Sequence, residues 1–386
     1  MKQRVTYLVK DPDTFTPEKL QVKDASITLD AVEAVKEHRI TFSLDELPAE
    51  FRNIVNQFPA LHVKWASTKP YSTIPPFTSR VTPGLHILFS QPHSEDALCP
   101  IVHALFGPDL KCSSTEKTAT PVIQIEGAPP IAELQYFFYL PSLDNLVSHL
   151  KHSICPSASQ SCREAVDSLR EASYLDIDYT QASPSIVVTA FWDSPPSGWS
   201  ERLSLPSQIT TTEVGILMHE TNPDPEDIAF SGFLTVLGRD TAPKPTRFQT
   251  PSKHYPLSTP QTYTSTFPPP TGLHPTLSIH LSPSITPPDE SCTLHTHLTL
   301  PSTLFIDRYQ FSDPLSLAAH NLLSLRNLTG ATDLEAPEWV VPAWGSSALF
   351  EVVAPSGEQR GELERKGGNT ARGAASGFVL GVRCTE

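Results

Sequence analysis

YLDIDYTQASPSIVVTAFW, residues 174–192, is the stretch whose reading decides the fold. Tyr174–Thr180 alternates along its length, and Ile186–Trp192 is dense in β-branched and aromatic residues; both patterns mark strands. The same signature recurs outward in both directions. Residues 3–9 (QRVTYLV), 25–29 (ASITL) and 39–44 (RITFSL) read as strands, as do Leu61–Ala66, with Leu61, Val63 and Trp65 on one face, and Gly84–Phe89. Val214–His219, Phe230–Leu237, Leu277–Leu281, Cys292–Leu300 and Ser347–Val353 continue the series. Two segments carry helical spacing instead. Pro48–Phe58 opens on a first-turn proline and spaces Phe51, Ile54, Val55 and Phe58, and Ser142–His152 aligns Leu143, Leu146, Val147 and Leu150.

The expected fold is therefore mainly β with a few helices, in two β-sandwich-like units over residues 1–205 and 206–354. The Pro/Ser/Thr-rich stretch 241–272 reads as a loop inside the second unit. The last thirty or so residues, 355–386, turn Gly/Ala/Arg-rich without a period and are expected to be a disordered tail. Composition agrees with short strands and rigid turns: the 386 residues include 39 prolines, about twice the usual frequency. Proline can neither continue a helix nor donate to a ladder.

A formal charge of −14 with no basic stripe excludes a nucleic-acid partner. The N-terminus has no apolar core of a signal peptide. No apolar run reaches the roughly 18 residues of a membrane-crossing helix. Of six cysteines, Cys99/Cys112 and Cys155/Cys162 have spacings that would close short loops in an oxidising compartment; free thiols remain the alternative. No CxxC occurs, so zinc-ribbon and thioredoxin chemistry is absent.

Catalytic motifs are equally scarce. There is no GxSxG elbow, Walker A loop or strand-borne GxGxxG. His295 and His297 share one face of a strand, a geometry that β-scaffold metal sites use, but Thr293 and Thr299 complete an ordinary polar face there. Asp176-Ile-Asp178 sits in an alternating strand, where water-facing carboxylates are the default. His219-Glu220 lacks the second histidine of a zincin helix. No catalytic, cofactor or metal residue is expected.

Residues 300–350 are different in kind: LPSTLFIDRYQFSDP leads to the sequon Asn327-Leu-Thr329, then to Asp333-Leu-Glu335-Ala-Pro337 and the pair Trp339 and Trp344. The two tryptophans are read either as core packing or as a patch facing a partner or a membrane.

This text, with NLTGATDLEAPEWVVPAWGSSALFE, resembles the signature region of the PIG-X family in its fungal form. KEHRITFSLDELP, LHVKWAS, YSTIPPFTSRVTPGLH, EVGILMHETNPDPEDIAFSGFLTVLG and KPTRFQTPSKHYPLSTPQTY extend the resemblance over most of residues 1–354. The resemblance implies a non-catalytic endoplasmic reticulum subunit with a large lumenal domain. It stabilises the polytopic catalytic subunit of glycosylphosphatidylinositol (GPI) mannosyltransferase I, which adds the first mannose. The implied alternative is a general lumenal chaperone or β-sandwich binding module with no dedicated transferase partner.

A lumenal setting favours N-glycosylation at Asn327 and the disulfides Cys99, Cys112, Cys155 and Cys162. Asp333, Glu335, Trp339 and Trp344 are the expected partner surface. Family members end in one transmembrane helix just after the position of Val353, so the Gly/Arg tail here is expected to reflect a truncated or mis-spliced gene reading after about Ala354.

Overall fold

The computed structural model describes all residues except 24, 95–96, 115–117, 124–132, 156–159, 206–210, 221–226, 252–262, 271, 273–274, 282–291, 334, 338, 342–343, 354–377 and 385–386. The chain divides into two units. The first runs over Met1–Val122 and Pro130–Pro251 and takes in Trp344; the second runs over Ser252–Val341 and Gly345–Glu386.

The strands of the first unit are β1 (Lys2–Val9), β2 (Leu20–Lys23), β3 (Ser26–Val32), β4 (Ala34–Ser43), β5 (Ala60–Ala66), β6 (Gly84–Ser90) and β7 (Thr120–Pro121). They are followed by β8 (Glu133–Phe138), β9 (Tyr174–Thr180), β10 (Ser185–Trp192), β11 (Trp199–Ser204), β12 (Thr211–Glu220), β13 (Asp227–Val236) and β14 (Lys244–Pro251). Eleven of them join one sheet in the order β14-β13-β12-β1-β4-β10-β9-β5-β6-β8-β7, and β11-β3-β2 form a small second sheet. Its helices are α1 (Ala49–Val55), α2 (Leu98–Phe106), α3 (Asp144–Ser153) and α4 (Gln160–Asp167).

The boundary expected near residue 205 is corrected to 251. The cause is β12, which pairs in parallel with β1 over eight residues, Lys2↔Thr211 to Val9↔Met218, and carries β13 and β14 into the large sheet. The loop expected over 241–272 is corrected too, since β14 lies within it. Its Pro245 and Pro251 are tolerated because β14 pairs only with β13 among the described strands, so a missing N–H costs no second ladder bond.

Alternation explains how the large sheet is covered. Leu61, Val63 and Trp65 of β5, Leu85, Ile87 and Phe89 of β6, and Leu175 and Tyr179 of β9 point to one face, where they join Phe58, Ile101, Val102, Phe106, Leu146 and Val147 in one core. Further along the same face, Val5, Tyr7 and Val9 of β1 pack with Ile27, Leu29 and Val32 of β3 and with Val214 and Ile216 of β12. Helices thus cover one half of this face and the small sheet covers the other. Each large side chain fully buried here contributes about 1.5–3 kcal/mol.

α2 and α4 are helices that the periodicity missed, as is the helix over Pro314–Ala319 in the second unit, and α2 shows why. Leu98, Cys99, Ile101, Val102 and Phe106 are all buried, so no polar stripe marks its turn, and Pro100 falls in the first turn, where proline is harmless.

The opposite face is divided. Leu8, Val35, Ala66, Tyr174 and Phe191 are covered by Tyr71, Ile74, Phe77 and Val81. The next row across the strands is charged or polar: Arg4, Arg39, Thr189, Asp176, Lys64 and His86 lie side by side in register. Cross-strand pairs Lys64–Asp176 at 2.9 Å and Arg4–Glu213 at 2.9 Å balance part of that charge.

In the second unit β15 (Tyr263–Thr266) pairs with β16 (Ser278–Leu281). β17 (Cys292–Pro301), β18 (Leu322–Gly330), β19 (Gly345–Val352) and β20 (Phe378–Cys384) form a sheet in the order β18-β19-β17-β20, with the short helix α5 (Pro314–Ala319) before β18. Leu300, Ile306, Ala348 and Phe350 make its core, with Leu298, Leu304, Phe311, Leu322, Leu325 and Leu328 packed around them. Of the tail expected to be disordered, 354–377 and 385–386 lie outside the described residues. For Phe378–Cys384 that expectation is corrected: its run of Phe378, Val379, Leu380 and Val382 pairs antiparallel with β17. Among the described residues no helix is long and apolar enough to cross a membrane.

Two predictions follow from this packing. Burial raises the Glu37 carboxyl from 4.5 to about 7, while burial lowers His38, its neighbour on the other face of β4, from 6.5 to about 4. Glu37 therefore favours folding fully below about pH 4.5 and loses that contribution as pH rises through about 7, whereas His38 contributes above about pH 6.5 and loses it as pH falls through about 4. Glu37→Gln is expected to flatten the decline in stability between pH 5 and 8, by on the order of 2–3 kcal/mol at the upper end, in urea unfolding across that range. An unchanged pH profile would count against the buried acid.

Gly345 opens β19 at φ 128°, and a Cβ there would lie 2.0 Å from the Leu300 carbonyl oxygen. Gly345→Ala should destabilise the second unit by about 2 kcal/mol or more, read as a lower Tm. An unshifted Tm would contradict the close approach of β17 and β19.

Candidate functional site

The loop between β18 and β19 is the most exposed apolar feature of the described residues. Its base is closed by the Ala331 N–H, which donates to the Gly345 carbonyl at 3.0 Å. Gly330, at φ 94°, leaves β18 where a Cβ would meet the same carbonyl at 2.4 Å, so only glycine suits both the turn and the close approach.

Asp333 then folds the loop. Its Oδ1 accepts the Glu335 N–H at 3.0 Å, the local turn that aspartate favours. The Val340 N–H donates to the Pro337 carbonyl at 2.9 Å and makes a second turn. Between these constraints Trp339 is 83% exposed and Val340 63% exposed. Leaving an indole this open forgoes the stabilisation of burial, which is the usual signature of a surface that meets something else.

The four residues expected to form one partner surface are not equivalent. Asp333 and Glu335 are exposed beside the tip, but the Asp333 carboxylate is engaged in shaping the turn. Trp339 stands at the tip. Trp344 is corrected: it is 6% exposed and packs edge-on against Phe137, ring centroids 6.2 Å apart, in the core of the first unit. It immediately precedes β19, whose residues Gly345–Glu351 are all buried, so the chain has already re-entered packed structure there. The idea that both tryptophans lie at a membrane surface fails for Trp344.

Sequence reasoning passed over three more exposed side chains of the second unit, Leu315 at 81%, Tyr309 at 77% and Leu323 at 55%. A signal existed for the first. In α5, Leu315 and Leu317 are two residues apart and so face different ways; Leu317 is buried and Leu315 is not.

The other candidates are distributed without converging. Cys99 is bonded to Cys112 and Cys155 to Cys162, each pair tying a helix of the first unit to a neighbouring segment. Cys292 is also disulfide-bonded. Asn327 lies in β18, half-buried, rather than on a surface loop. His297 is half-buried and 2.7 Å from the Ser347 hydroxyl, and desolvation lowers its pKa. His295 faces Glu351 across the strands. Asp176 pairs with Lys64 and Asp178 lies 2.8 Å from His62 Nδ1. Among the described residues no three of His, Cys, Asp or Glu gather as metal ligands.

One polar cluster had no sequence signal at all. Lys36 Nζ sits 2.7 Å from both carboxylate oxygens of Glu201, which also accepts from the Tyr7 hydroxyl at 3.0 Å. The ammonium lies 4.9 Å from the ring centroid of Trp199 and 5.6 Å from that of Trp192. Burial together with the Glu201 charge pushes the Tyr7 phenol far above its ordinary range. The cluster is partly buried and fastens β11 onto the large sheet.

Comparison with known proteins identifies the family. A family model described as PIG-X / PBN1 matches residues 270–370, which include β17, β18, β19 and the Trp339 loop. Protein pbn1 of Emericella nidulans is 39% identical over 376 residues, covering 92% of this chain and 71% of that protein. Protein pbn1 of Aspergillus oryzae is 38% identical over 399 residues, covering 92% and 74%. Protein pbn1 of Neurospora crassa is 35% identical over 369 residues, covering 93% and 72%. Identity at this level, sustained through both units, means that the chain belongs to the PIG-X / PBN1 family.

Proposed function

We propose that this chain is a non-catalytic subunit of GPI-anchor biosynthesis, resident in the endoplasmic reticulum with its folded units in the lumen. It binds the polytopic catalytic subunit of GPI mannosyltransferase I, keeps it stable, and so permits addition of the first mannose. The observation that carries this reading is family membership across most of the chain. Two physical features support it. Disulfides at Cys99–Cys112 and Cys155–Cys162 suit an oxidising lumen. The Trp339–Val340 tip, held out by the Asp333 turn, supplies the apolar anchor that a membrane-embedded partner would need near its lumenal edge. Membrane association in this scheme comes through the partner and the family's anchor.

The chemistry of transfer belongs to the partner in this scheme. The contribution of this chain is binding free energy, which raises the stability of whatever folded state it binds in proportion to the logarithm of its excess over Kd. Loss of the subunit should therefore lower the steady level of the catalytic subunit before it lowers turnover per molecule.

Depletion of the chain is expected to reduce both catalytic-subunit abundance and first-mannose addition; unchanged levels of both would sink the proposal. A Trp339→Ala/Val340→Ser variant should fold with unaltered Tm, since both side chains are exposed. Its recovery of the transferase subunit from detergent extracts should fall about tenfold or more, as expected for a hot-spot aromatic. Full recovery with this variant would move the interface elsewhere. Capture of many unrelated lumenal proteins, with no transferase enriched, would favour the general chaperone instead.

A further inference from the structure

A pocket of about 300 Å³ opens in the second unit and is lined by Arg308, Ser312, Leu325, Asn327, Leu328 and Thr332. Most of its lining is polar, and Arg308 brings one full positive charge. The two apolar lining residues, Leu325 and Leu328, are partly buried and pack against the cluster of Leu300, Ile306 and Phe350.

That charge is unspent for a local reason. Asp307, adjacent in sequence, turns its Oδ1 onto the N–H groups of Tyr309 at 3.0 Å and Gln310 at 3.2 Å. Asp313 uses its Oδ1 for the Leu315 N–H at 3.3 Å and caps α5. The Ser312 hydroxyl donates to the Arg308 carbonyl at 2.7 Å and holds the turn in shape. Asp307 and Asp313 thus each engage one carboxylate oxygen with backbone, and among the described residues Arg308 makes no ion pair; its charge lies 5.3 Å from the Tyr309 ring centroid. Arg326, on the neighbouring strand, differs: it pairs with the buried Glu351 carboxylate at 2.5 Å.

We propose that this pocket binds an amphiphilic oxyanion, with a phosphate or carboxylate head on Arg308 and Thr332 and a short apolar body on Leu325 and Leu328. A guanidinium presents its donors as a planar fork that matches either head group. The volume is at the small end for ligand pockets, so it takes a head group and a few carbons rather than a whole lipid chain. This assignment stands apart from the transferase reading and survives or fails without it.

It also bears on the sequon. Asn327 forms part of the pocket wall, and a glycan on its amide would grow into the same space. The pocket requires Asn327 to be unmodified, so the glycosylation expected from the Asn327-Leu-Thr329 triplet and the binding site exclude each other.

The test uses the whole chain with disulfides intact. Monobutyl phosphate, pentanoate, inorganic phosphate, acetate and n-butanol are titrated calorimetrically at low ionic strength, where charge pairing is least screened. Monobutyl phosphate, pentanoate or both should bind at least tenfold tighter than inorganic phosphate, acetate or butanol, because head and body must both engage. Binding of only one of the two names the head group. Arg308→Gln should lose at least tenfold in affinity with an unchanged ligand-free Tm, and Arg308→Lys should recover part of it. Equal binding by wild type and Arg308→Gln would overturn the proposal, as would no saturable heat from either amphiphile at millimolar concentration. Intact-mass analysis before and after deglycosylation supplies an independent arm: a glycan mapped to Asn327 in the purified chain would also overturn it.

Discussion

The pairing of β1 with β12 is the constraint on which the architecture depends. A parallel pair cannot be closed by a tight turn and needs a long crossover; here about two hundred residues lie between Arg4 and Glu213, which nevertheless form an ion pair. Because β1 also pairs with β4 over eight residues, it is central rather than marginal in the sheet. Everything between, the β5-β6-β8 hairpins, the helices and the small sheet, is inserted into that closure. Without it β12, β13 and β14 would have no sheet to extend. The cost is the entropy of closing a long loop, which grows only slowly with its length, so such an insertion is thermodynamically tolerable.

Once the large sheet exists, alternation decides what each face does. One face is largely apolar and packs against the helices and against β2-β3-β11. The Lys36–Glu201–Tyr7 cluster lies at the seam between the sheets, where the charge is satisfied by a bidentate carboxylate and two indole faces. Leaving any one partner behind would strand a buried polar group, so the cluster specifies how β11 docks as much as it adds stability. The other face is split into an apolar half, covered by Tyr71–Val81, and a charged half built from in-register pairs. Glu37 marks the border between them. It sits opposite Thr6 and Phe191 with only the more distant charges of Arg4 and Arg39 for company.

The second unit uses the same economy on a smaller scale. β19 is buried along nearly its whole length, and the glycines on either side of its loop, Gly330 and Gly345, let three backbones approach closely. Within the loop, the Asp333 turn and the Pro337–Val340 turn lie beside the exposed Trp339. Trp344, five residues later, is buried.

Much of the fold was legible in the chain. The alternation of Tyr174–Thr180 and Leu61–Ala66, the helical spacing of Pro48–Phe58 and the strand density of Ser347–Val353 all determine local structure through side-chain period alone, because a strand repeats every two residues and a helix every 3.6 or so. The family, too, lies in the sequence, most plainly in residues 300–350. What period and composition do not contain is distance. They could not show that Thr211–Glu220 belongs beside Lys2–Val9 and not in a second domain. Nor could they separate Trp339 from Trp344, identical in type and near in sequence, or reveal that Arg308 makes no ion pair among the described residues while Asp307 and Asp313 accept from backbone amides. Each of these depends on which segments meet across long stretches of chain, and that is decided only when tertiary packing selects one arrangement among the many that the same local patterns permit.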